Sequence, residues 1–146
     1  MTRALMLLIA AAAAASSAAG VSPCREAMAE GNDVIATASY TCYEQHRDDW
    51  DKFSSNSKCT NITSLTRYDA ATCDPILFKY SKCSLQVTKL LKPNNTMDHK
   101  AFQTITLKNK CSTDANFAKA YPKCKRTTMK YLNVIRLFVC LKAAVP

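Results

Sequence analysis

Glycine is almost absent from this sequence, whose 146 residues include only Gly20 and Gly31. Because tight hairpins and β-bulges depend on glycine, the composition argues against an all-β fold. Long apolar runs are also missing after residue 20, since Arg136 interrupts the most apolar stretch, residues 131–141. A membrane-spanning helix needs about 20 apolar residues, so this part of the chain contains no candidate for one.

Signatures of catalysis and of metal binding are scarce as well. The patterns GxSxG, HExxH and GxGxxG do not occur, and the chain has two histidines, His46 and His99. Zinc sites use closely paired cysteines, but the nearest pair here, Cys73 and Cys83, has nine residues between its members. The acidic residues between positions 44 and 51 lack the spacing and the glycine of an EF-hand. The sequence therefore predicts a protein that is not an enzyme and holds no metal or cofactor.

What the sequence does contain begins with an export signal. Arg3 precedes an apolar run over residues 4–15, and small residues follow up to Gly20. This order is typical of a signal peptide, and the run is too short to span a bilayer. We therefore predict that residues 1–20 are a signal peptide, that residues 21–146 form a single domain, and that the protein is secreted and extracellular.

Cysteine is the most informative residue type of the predicted mature chain. An even number of cysteines behind a signal peptide predicts a disulfide framework, although the sequence does not choose among the possible pairings. We expect at least one bridge from Cys73 or Cys83 to another helix. Two N-glycosylation motifs, at Asn61 and Asn94, agree with secretion. The residues predicted to form disulfides are Cys24, Cys42, Cys59, Cys73, Cys83, Cys111, Cys124 and Cys140.

Helical periodicity dominates the mature chain and predicts a mostly α, disulfide-stabilised fold of about four to five helices. The clearest helix is predicted over residues 75–92, with Asp74 as its N-cap and Pro75 at its first position. Apolar residues recur there at three- and four-residue steps, as expected of an amphipathic helix. Further helices are predicted over residues 127–141, 97–111 and 114–121.

Two segments leave alternatives open. Residues 23–53 follow the helical period, either as one helix or as two helices divided at Gly31. In one continuous helix Cys24 and Cys42 would lie about 27 Å apart, too far for a disulfide, whose Cα atoms lie within about 7 Å. A turn at Gly31 would allow that pairing. Residues 102–107 are rich in threonine and isoleucine, so a strand is an alternative to a helix there.

Charge is distributed unevenly along the chain. Residues 21–51 carry two basic and seven acidic side chains, a net charge of −5, whereas residues 52–146 carry 17 basic and four acidic ones, a net charge of +13. Three basic residues align on one face of the predicted 75–92 helix, and three more align where the predicted 127–141 helix begins. Cations are unfavourable at a helix N-terminus, so the second group predicts a bound anion or a nearby acidic segment. The candidate anion-binding residues are Lys79, Lys82, Lys89, Lys123, Arg126 and Lys130.

These basic faces favour an extracellular acidic protein, a sulfated glycan or an anionic surface as the partner. Nucleic acid is not an expected partner, because no nucleic-acid-binding motif accompanies the charge. The alternative interpretation is that acidic residues of the N-terminal region neutralise the basic helices within the molecule. Those acidic residues are Glu44, Asp48, Asp49 and Asp51.

Part of the sequence is similar to one hairpin of the pancreatic-type ribonucleases, and the similar segments are Tyr121–Cys124, Thr127–Thr128 and Val139–Cys140. The Cys-Lys-x-x-Asn-Thr-Phe motif of that family is absent, and no histidine follows Cys140. The resemblance implies an alternative function as a secreted ribonuclease-type hydrolase that uses His46 and His99. A further alternative is an apolar-ligand carrier, since helices linked by disulfides can enclose a pocket.

The signal peptide, the eight spaced cysteines, the amphipathic helices and the two glycosylation motifs together resemble the small helical cysteine-rich secreted proteins of invertebrates. That group includes salivary and body-fluid proteins of ticks and related secreted nematode domains of unknown function. The resemblance covers the mature chain in general form and implies an extracellular binding or host-interaction role. From the sequence alone we therefore expect a secreted, non-enzymatic binding protein.

Overall fold

A computed structural model describes residues 20–146, so the predicted signal peptide lies, apart from Gly20, outside the described residues. The described part is mostly helical and has no strand, only an isolated bridge between Leu91 and Met97. Its eight cysteines form four disulfides, with no free thiol. The prediction of a small, mostly α, disulfide-stabilised fold is confirmed.

Seven α-helices follow one another in residues 20–146. They are α1 (Pro23–Ala38), α2 (Tyr40–Gln45), α3 (Arg47–Ser54), α4 (Ala70–Val87), α5 (His99–Ala101), α6 (Ala115–Thr128) and α7 (Val134–Ala144). The single turn of α5 continues as a π-helical turn over Phe102–Thr106, so the strand alternative for residues 102–107 is wrong. A 3-10 turn over Met129–Tyr131 separates α6 from α7.

Five of these helices begin at a polar side chain that accepts a hydrogen bond from the backbone N–H three residues further on, which is the N-cap arrangement. The hydrogen bond from Thr72 lowers the pKa of Asp69, and that from Ala101 lowers the pKa of Asp98. The caps of α1, α4, α5, α6 and α7 are Ser22, Asp69, Asp98, Asp114 and Asn133, respectively.

Helix α1 continues unbroken through Gly31, so neither alternative for residues 23–53 is correct. The chain divides instead at Ser39 and at His46, which gives three helices, and Cys24 and Cys42 pair with other cysteines. Gly31 serves close packing rather than a turn, because α1 crosses the π-helical turn at this buried position.

Helix α4 begins and ends five residues earlier than predicted. Its N-cap is Asp69 rather than Asp74, because the Asp74 carboxylate is buried and accepts hydrogen bonds from side chains outside the helix. At the other end the Thr88 hydroxyl donates to the Ser84 carbonyl (2.7 Å). Lys89 then adopts a left-handed conformation with φ of 57°, which ends the helix.

The prediction of one helix over residues 127–141 is wrong, because the chain turns sharply at Leu132, where φ is 57°. The disulfide between Cys124 and Cys140 depends on this turn. In a continuous helix their Cα atoms would lie about 24 Å apart, whereas they lie 5.6 Å apart in the structure. Helices α6 and α7 therefore fold back on each other as a hairpin.

Buried apolar side chains form two separate clusters. The large cluster joins α1, α6 and α7 to the C-terminal end of α4 and to the π-helical turn. The small cluster joins α2, α3 and the rest of α4. The large cluster includes Met28, Ile35, Leu85, Phe102, Phe117, Tyr121, Leu137, Phe138 and Leu141. The small cluster includes Phe53, Tyr68, Leu77 and Tyr80, with Trp50 packed against it.

Each disulfide lies within one cluster. The bridge between Cys42 and Cys83 joins α2 to α4, which confirms the expected bridge from Cys73 or Cys83 to another helix. None of the four bridges crosses the boundary between the clusters, which we call the seam. The large cluster contains Cys24–Cys111 and Cys124–Cys140, and the small cluster contains Cys42–Cys83 and Cys59–Cys73.

Buried hydrogen bonds fasten the seam at one end. The Asn133 amide at the start of α7 donates to Asp74 Oδ1 (2.7 Å), and the Tyr68 hydroxyl donates to the same oxygen (2.7 Å). Burial, together with the Asp74 carboxylate, raises the pKa of Tyr68, so this hydroxyl remains a donor. Arg136 lies over the Tyr68 ring and donates to the Ile62 carbonyl (2.7 Å). The loop before α4 is thereby attached to α7.

Candidate functional site

One side of α6 is strongly basic. The helix buries Phe117, Tyr121 and Cys124 in the large cluster. With 3.6 residues per turn, Lys119, Lys123 and Arg126 lie on the opposite side of the helix. Lys125 and Lys130 lie beside them. We call these exposed cations of α6 and of the following 3-10 turn the α6 basic surface. They are Lys119, Lys123, Lys125, Arg126 and Lys130.

The cations of the α6 basic surface have no acidic partner within the described residues. The salt bridges found there lie elsewhere, and they join Arg47 to Glu44, Lys58 to Asp69 and Lys108 to Glu30. Residues 115–146 contain seven basic side chains and no acidic one. The positive charge of this surface is therefore not compensated locally.

His99 lies beside the α6 basic surface and responds to its charge. Its Nδ1 is 2.9 Å from the Tyr121 hydroxyl. Burial lowers the pKa of His99, and the positive charges of Lys125 and Lys92 lower it further. Burial also raises the pKa of Tyr121 to about 12, so this hydroxyl is neutral at physiological pH.

The expected position of Lys123 and Arg126 at a helix N-terminus is wrong. Both residues lie in the C-terminal half of α6, and Arg126 lies in its last turn. Cations are favoured at that end because the helix dipole is negative there. The helix dipole therefore gives no reason to expect a bound anion. The prediction of a bound anion depends instead on the absence of acidic partners for these cations among the described residues.

The other three candidate residues do not form a continuous basic face. Lys79 lines a polar depression together with Glu44 and Asp48, which belong to α2 and α3. Lys82 is half-buried on α4, and Lys89 follows that helix in a left-handed conformation. This placement brings Lys79 near the N-terminal acidic residues of the alternative interpretation, but no ion pair joins them within residues 20–146.

The residues implied by the ribonuclease resemblance are not brought together. His46 lines the polar depression, whereas His99 lies against Tyr121, and the two share no hydrogen bond in the described part of the chain. The segment similar to a ribonuclease hairpin, residues 121–128, is the C-terminal half of α6. It is helical because Tyr121 and Cys124 enter the large cluster at a helical spacing.

A cleft of about 200 Å³ opens at the seam, where α1, α3, α4 and α7 meet. Phe138 of the large cluster lies on one side of it, and Trp50 and Tyr80 of the small cluster lie on the other. Sequence reasoning missed this site, because its wall combines residues from four helices whose packing the periodicity does not specify. The only sequence signal is the group of serines on α4, Ser81 and Ser84, which interrupts an otherwise apolar face.

The two glycosylation motifs differ in accessibility. Asn94 is exposed in the turn between α4 and α5, and its Oδ1 accepts hydrogen bonds from the backbone N–H (3.2 Å) and the hydroxyl (2.6 Å) of Thr96. Asn61 is half-buried in the loop before α4. Asn94 is therefore the more accessible acceptor of a glycan.

Among residues 20–146, no group of three histidine, cysteine, aspartate or glutamate side chains is arranged to hold a metal ion. None of the helices described has both the length and the apolar character needed to cross a bilayer. Comparisons with protein-family models, with curated proteins and with solved structures found no match to this chain. The resemblance to the invertebrate cysteine-rich proteins therefore stays an expectation.

Proposed function

We propose that this protein is a secreted, non-enzymatic binding protein whose α6 basic surface engages an anionic extracellular partner. The observation that carries the proposal is that five exposed cations lie on one helix and its following turn with no acidic partner among the described residues. The four disulfides support secretion, because such bridges form and persist in oxidising compartments.

The geometry of α6 favours an extended polyanion over a small ion. Lys119, Lys123 and Arg126 follow each other at steps of four and three residues, which correspond to about 6 Å and about 4.5 Å along the helix axis. The bridge from Cys124 to Cys140 attaches this helix to α7, so the cations are presented on a rigid support. A sulfated glycan, which carries charges at regular intervals along a chain, suits such a row.

Heparin-affinity chromatography with charge-reversal variants tests the proposal. The variant Lys123→Glu plus Arg126→Glu removes two cations of the α6 basic surface. The control Lys52→Glu plus Lys79→Glu makes the same change in formal charge at two exposed residues of the polar depression. We expect the α6 variant to elute at much lower salt than the control, because exposed charges are screened beyond about 10 Å at 0.1 M salt.

Equal elution of the two variants would contradict the proposal, since retention would then depend on net charge alone. A titration of His99 by NMR locates the partner independently. A bound polyanion offsets the charges of Lys125 and Lys92 and should raise the pKa of His99. An unchanged titration of His99 in saturating heparin would show that the glycan binds somewhere else.

A further inference from the structure

The wall of the seam cleft is uncharged. None of the described side chains that line it is basic or acidic, so the cleft differs in chemistry from the α6 basic surface and from the polar depression. Its apolar part is formed by Ile35 of α1, Trp50 of α3, and Val134 and Phe138 of α7. A charged ligand would lose its hydration there without gaining a counter-ion, whereas a neutral apolar ligand would gain contacts with aromatic rings.

The polar part of the wall consists of the Asn32 amide and of hydroxyl groups, which differ in their hydrogen bonds. Ser39 donates to the Ile35 carbonyl (2.6 Å), and Ser84 donates to the Tyr80 carbonyl (3.0 Å). Ser81 is only 5% exposed, yet its hydroxyl makes no hydrogen bond to the described residues. A helical serine ordinarily bonds to the carbonyl four residues earlier, as Ser84 does.

The Ser81 hydroxyl therefore faces the open space of the cleft. Within residues 20–146, no fully covered side-chain nitrogen or oxygen lacks a hydrogen-bond partner, so the unpartnered oxygen of Ser81 is one that the cleft leaves accessible. Burial raises the pKa of the neighbouring Tyr80, which keeps its hydroxyl neutral. The cleft thus offers uncharged oxygen groups next to three aromatic rings.

The volume of the cleft limits the size of its ligand. An apolar cavity of about 150 Å³ is large enough to bind benzene, and this cleft of about 200 Å³ is somewhat larger. The space therefore accommodates a molecule of roughly ten non-hydrogen atoms. Drug-sized ligands and lipids occupy pockets of about 300 Å³ or more, so most of such a molecule would lie outside the cleft.

We propose that the seam cleft binds a small, uncharged aromatic molecule that carries one hydroxyl group. The ring lies between Trp50 and Phe138, and the ligand hydroxyl pairs with Ser81. This binding is independent of the anionic partner, because the cleft lies at the seam and the α6 basic surface faces solvent on another helix.

Trp50 provides the readout, because it is the only tryptophan in the chain and it lines the cleft. Its indole N–H gives a single, separate signal in a proton–nitrogen NMR spectrum. The probes are 4-methylphenol, toluene, which lacks the hydroxyl, and 4-methylbenzoate, which is charged. We expect saturable shifts of the Trp50 signal with 4-methylphenol, weaker binding of toluene, and no binding of 4-methylbenzoate.

Three variants assign the binding to the cleft. Ser81→Ala should weaken 4-methylphenol about fivefold, the loss expected for one neutral hydrogen bond, and should leave the affinity for toluene unchanged. Ala36→Phe fills the cleft from an exposed position of α1 and should abolish both interactions. Val34→Phe is the matched control, since Val34 is exposed on the same helix but does not line the cleft.

Four results would overturn the proposal. The first is the absence of any shift of the Trp50 signal up to the solubility limit of 4-methylphenol, and the second is equal affinity for 4-methylphenol and toluene. The third is stronger binding of 4-methylbenzoate than of 4-methylphenol. The fourth is unchanged binding of 4-methylphenol by the Ala36→Phe variant. Circular dichroism of each variant confirms that the helical fold is intact before the titrations are compared.

Discussion

Gly31 of α1 lies so close to Thr106 of the π-helical turn that no side chain fits between them, since a Cβ on Gly31 would stand 2.6 Å from Thr106 Cγ2. We predict that Gly31→Ala lowers the free energy of unfolding by about 1 kcal/mol. The clash costs about 1–3 kcal/mol, which exceeds the gain of about 1 kcal/mol that alanine brings to a helix. Urea unfolding monitored by circular dichroism measures the change.

Removal of the opposing methyl group is the control for this prediction. Thr106→Ser deletes Cγ2 but keeps the Thr106 carbonyl oxygen, 3.1 Å from the same Cβ, so Gly31→Ala should cost less in that background. The two substitutions should therefore show a coupling energy of about 1–2 kcal/mol. An equal loss in both backgrounds would contradict the proposed clash.

Asn133 is predicted to contribute strongly to stability at the seam. It caps α7 through its Oδ1 and donates to Asp74 through its amide, so Asn133→Ala removes both interactions and leaves a buried carboxylate with one partner fewer. We expect a loss of about 3 kcal/mol in the free energy of unfolding. Asn133→Ser keeps a capping oxygen and should lose less; an equal loss would show that the cap contributes nothing.

The four disulfides should differ in their effects on stability. Cys24–Cys111 closes a loop with a sequence separation of 87, and Cys59–Cys73 closes one of 14. Loop-closure entropy predicts that the longer bridge stabilises by about 1.5 kcal/mol more than the shorter one. All four cysteines are buried, so the cavities left by double alanine variants are similar.

Urea unfolding of Cys24→Ala plus Cys111→Ala, and of Cys59→Ala plus Cys73→Ala, measures this difference. Mass spectrometry without reduction checks that three bridges and no free thiol remain in each variant. A larger loss in the variant that lacks the shorter bridge would show that strain or packing, rather than loop entropy, decides the order.

Stability should decrease as the pH falls through about 6.5, the ordinary pKa of histidine. Burial lowers the pKa of His99 in the folded protein, so the unfolded chain binds a proton at a pH where the folded protein does not. Acidification therefore favours unfolding until His99 also protonates in the folded state. Thermal unfolding between pH 7.5 and pH 5 measures the decrease.

His99→Gln should flatten this dependence on pH, because the substituted side chain does not titrate. His46→Gln is the matched control, since it also removes one imidazole but leaves His99 in place. An NMR titration of the wild-type protein gives the midpoint of His99 directly. A midpoint above 6.5 would refute the prediction.

Local signals predicted the class of the fold and the existence of most helices, but not their ends. Asp74 precedes a proline and therefore has the sequence of an N-cap, yet its carboxylate pairs with Asn133, which lies 59 positions further along the chain. Leu132 adopts a left-handed conformation without any glycine to mark the turn, and the apolar periodicity continues through it. Both corrections arise from tertiary contacts that no local pattern encodes.

The charge of the candidate site was predictable, whereas its arrangement was not. Counting residues located the excess of positive charge after position 51, and Lys123, Arg126 and Lys130 do belong to one exposed surface. Because α6 ends at Thr128, Lys123 and Arg126 lie near the negative end of the helix dipole, where cations are favoured, and not at the N-terminus of a following helix. A pocket between helices was foreseen only in general terms, and the position and lining of the seam cleft were not predictable, because four helices from distant parts of the chain form it.

Confinement of the disulfides to separate clusters leaves the seam without a disulfide of its own, so we expect the packing there to yield before the packing within either cluster. Apart from the chain itself, above all helix α4, which contributes to both clusters, only packing and hydrogen bonds join the two cross-linked bodies. The contact between Asn133 and Asp74 is one of the hydrogen bonds that join them. The cleft lies on this same boundary, so we expect ligand binding there to respond to changes in the packing between the two clusters, whereas the cations of α6 all lie on a helix that belongs to one cluster.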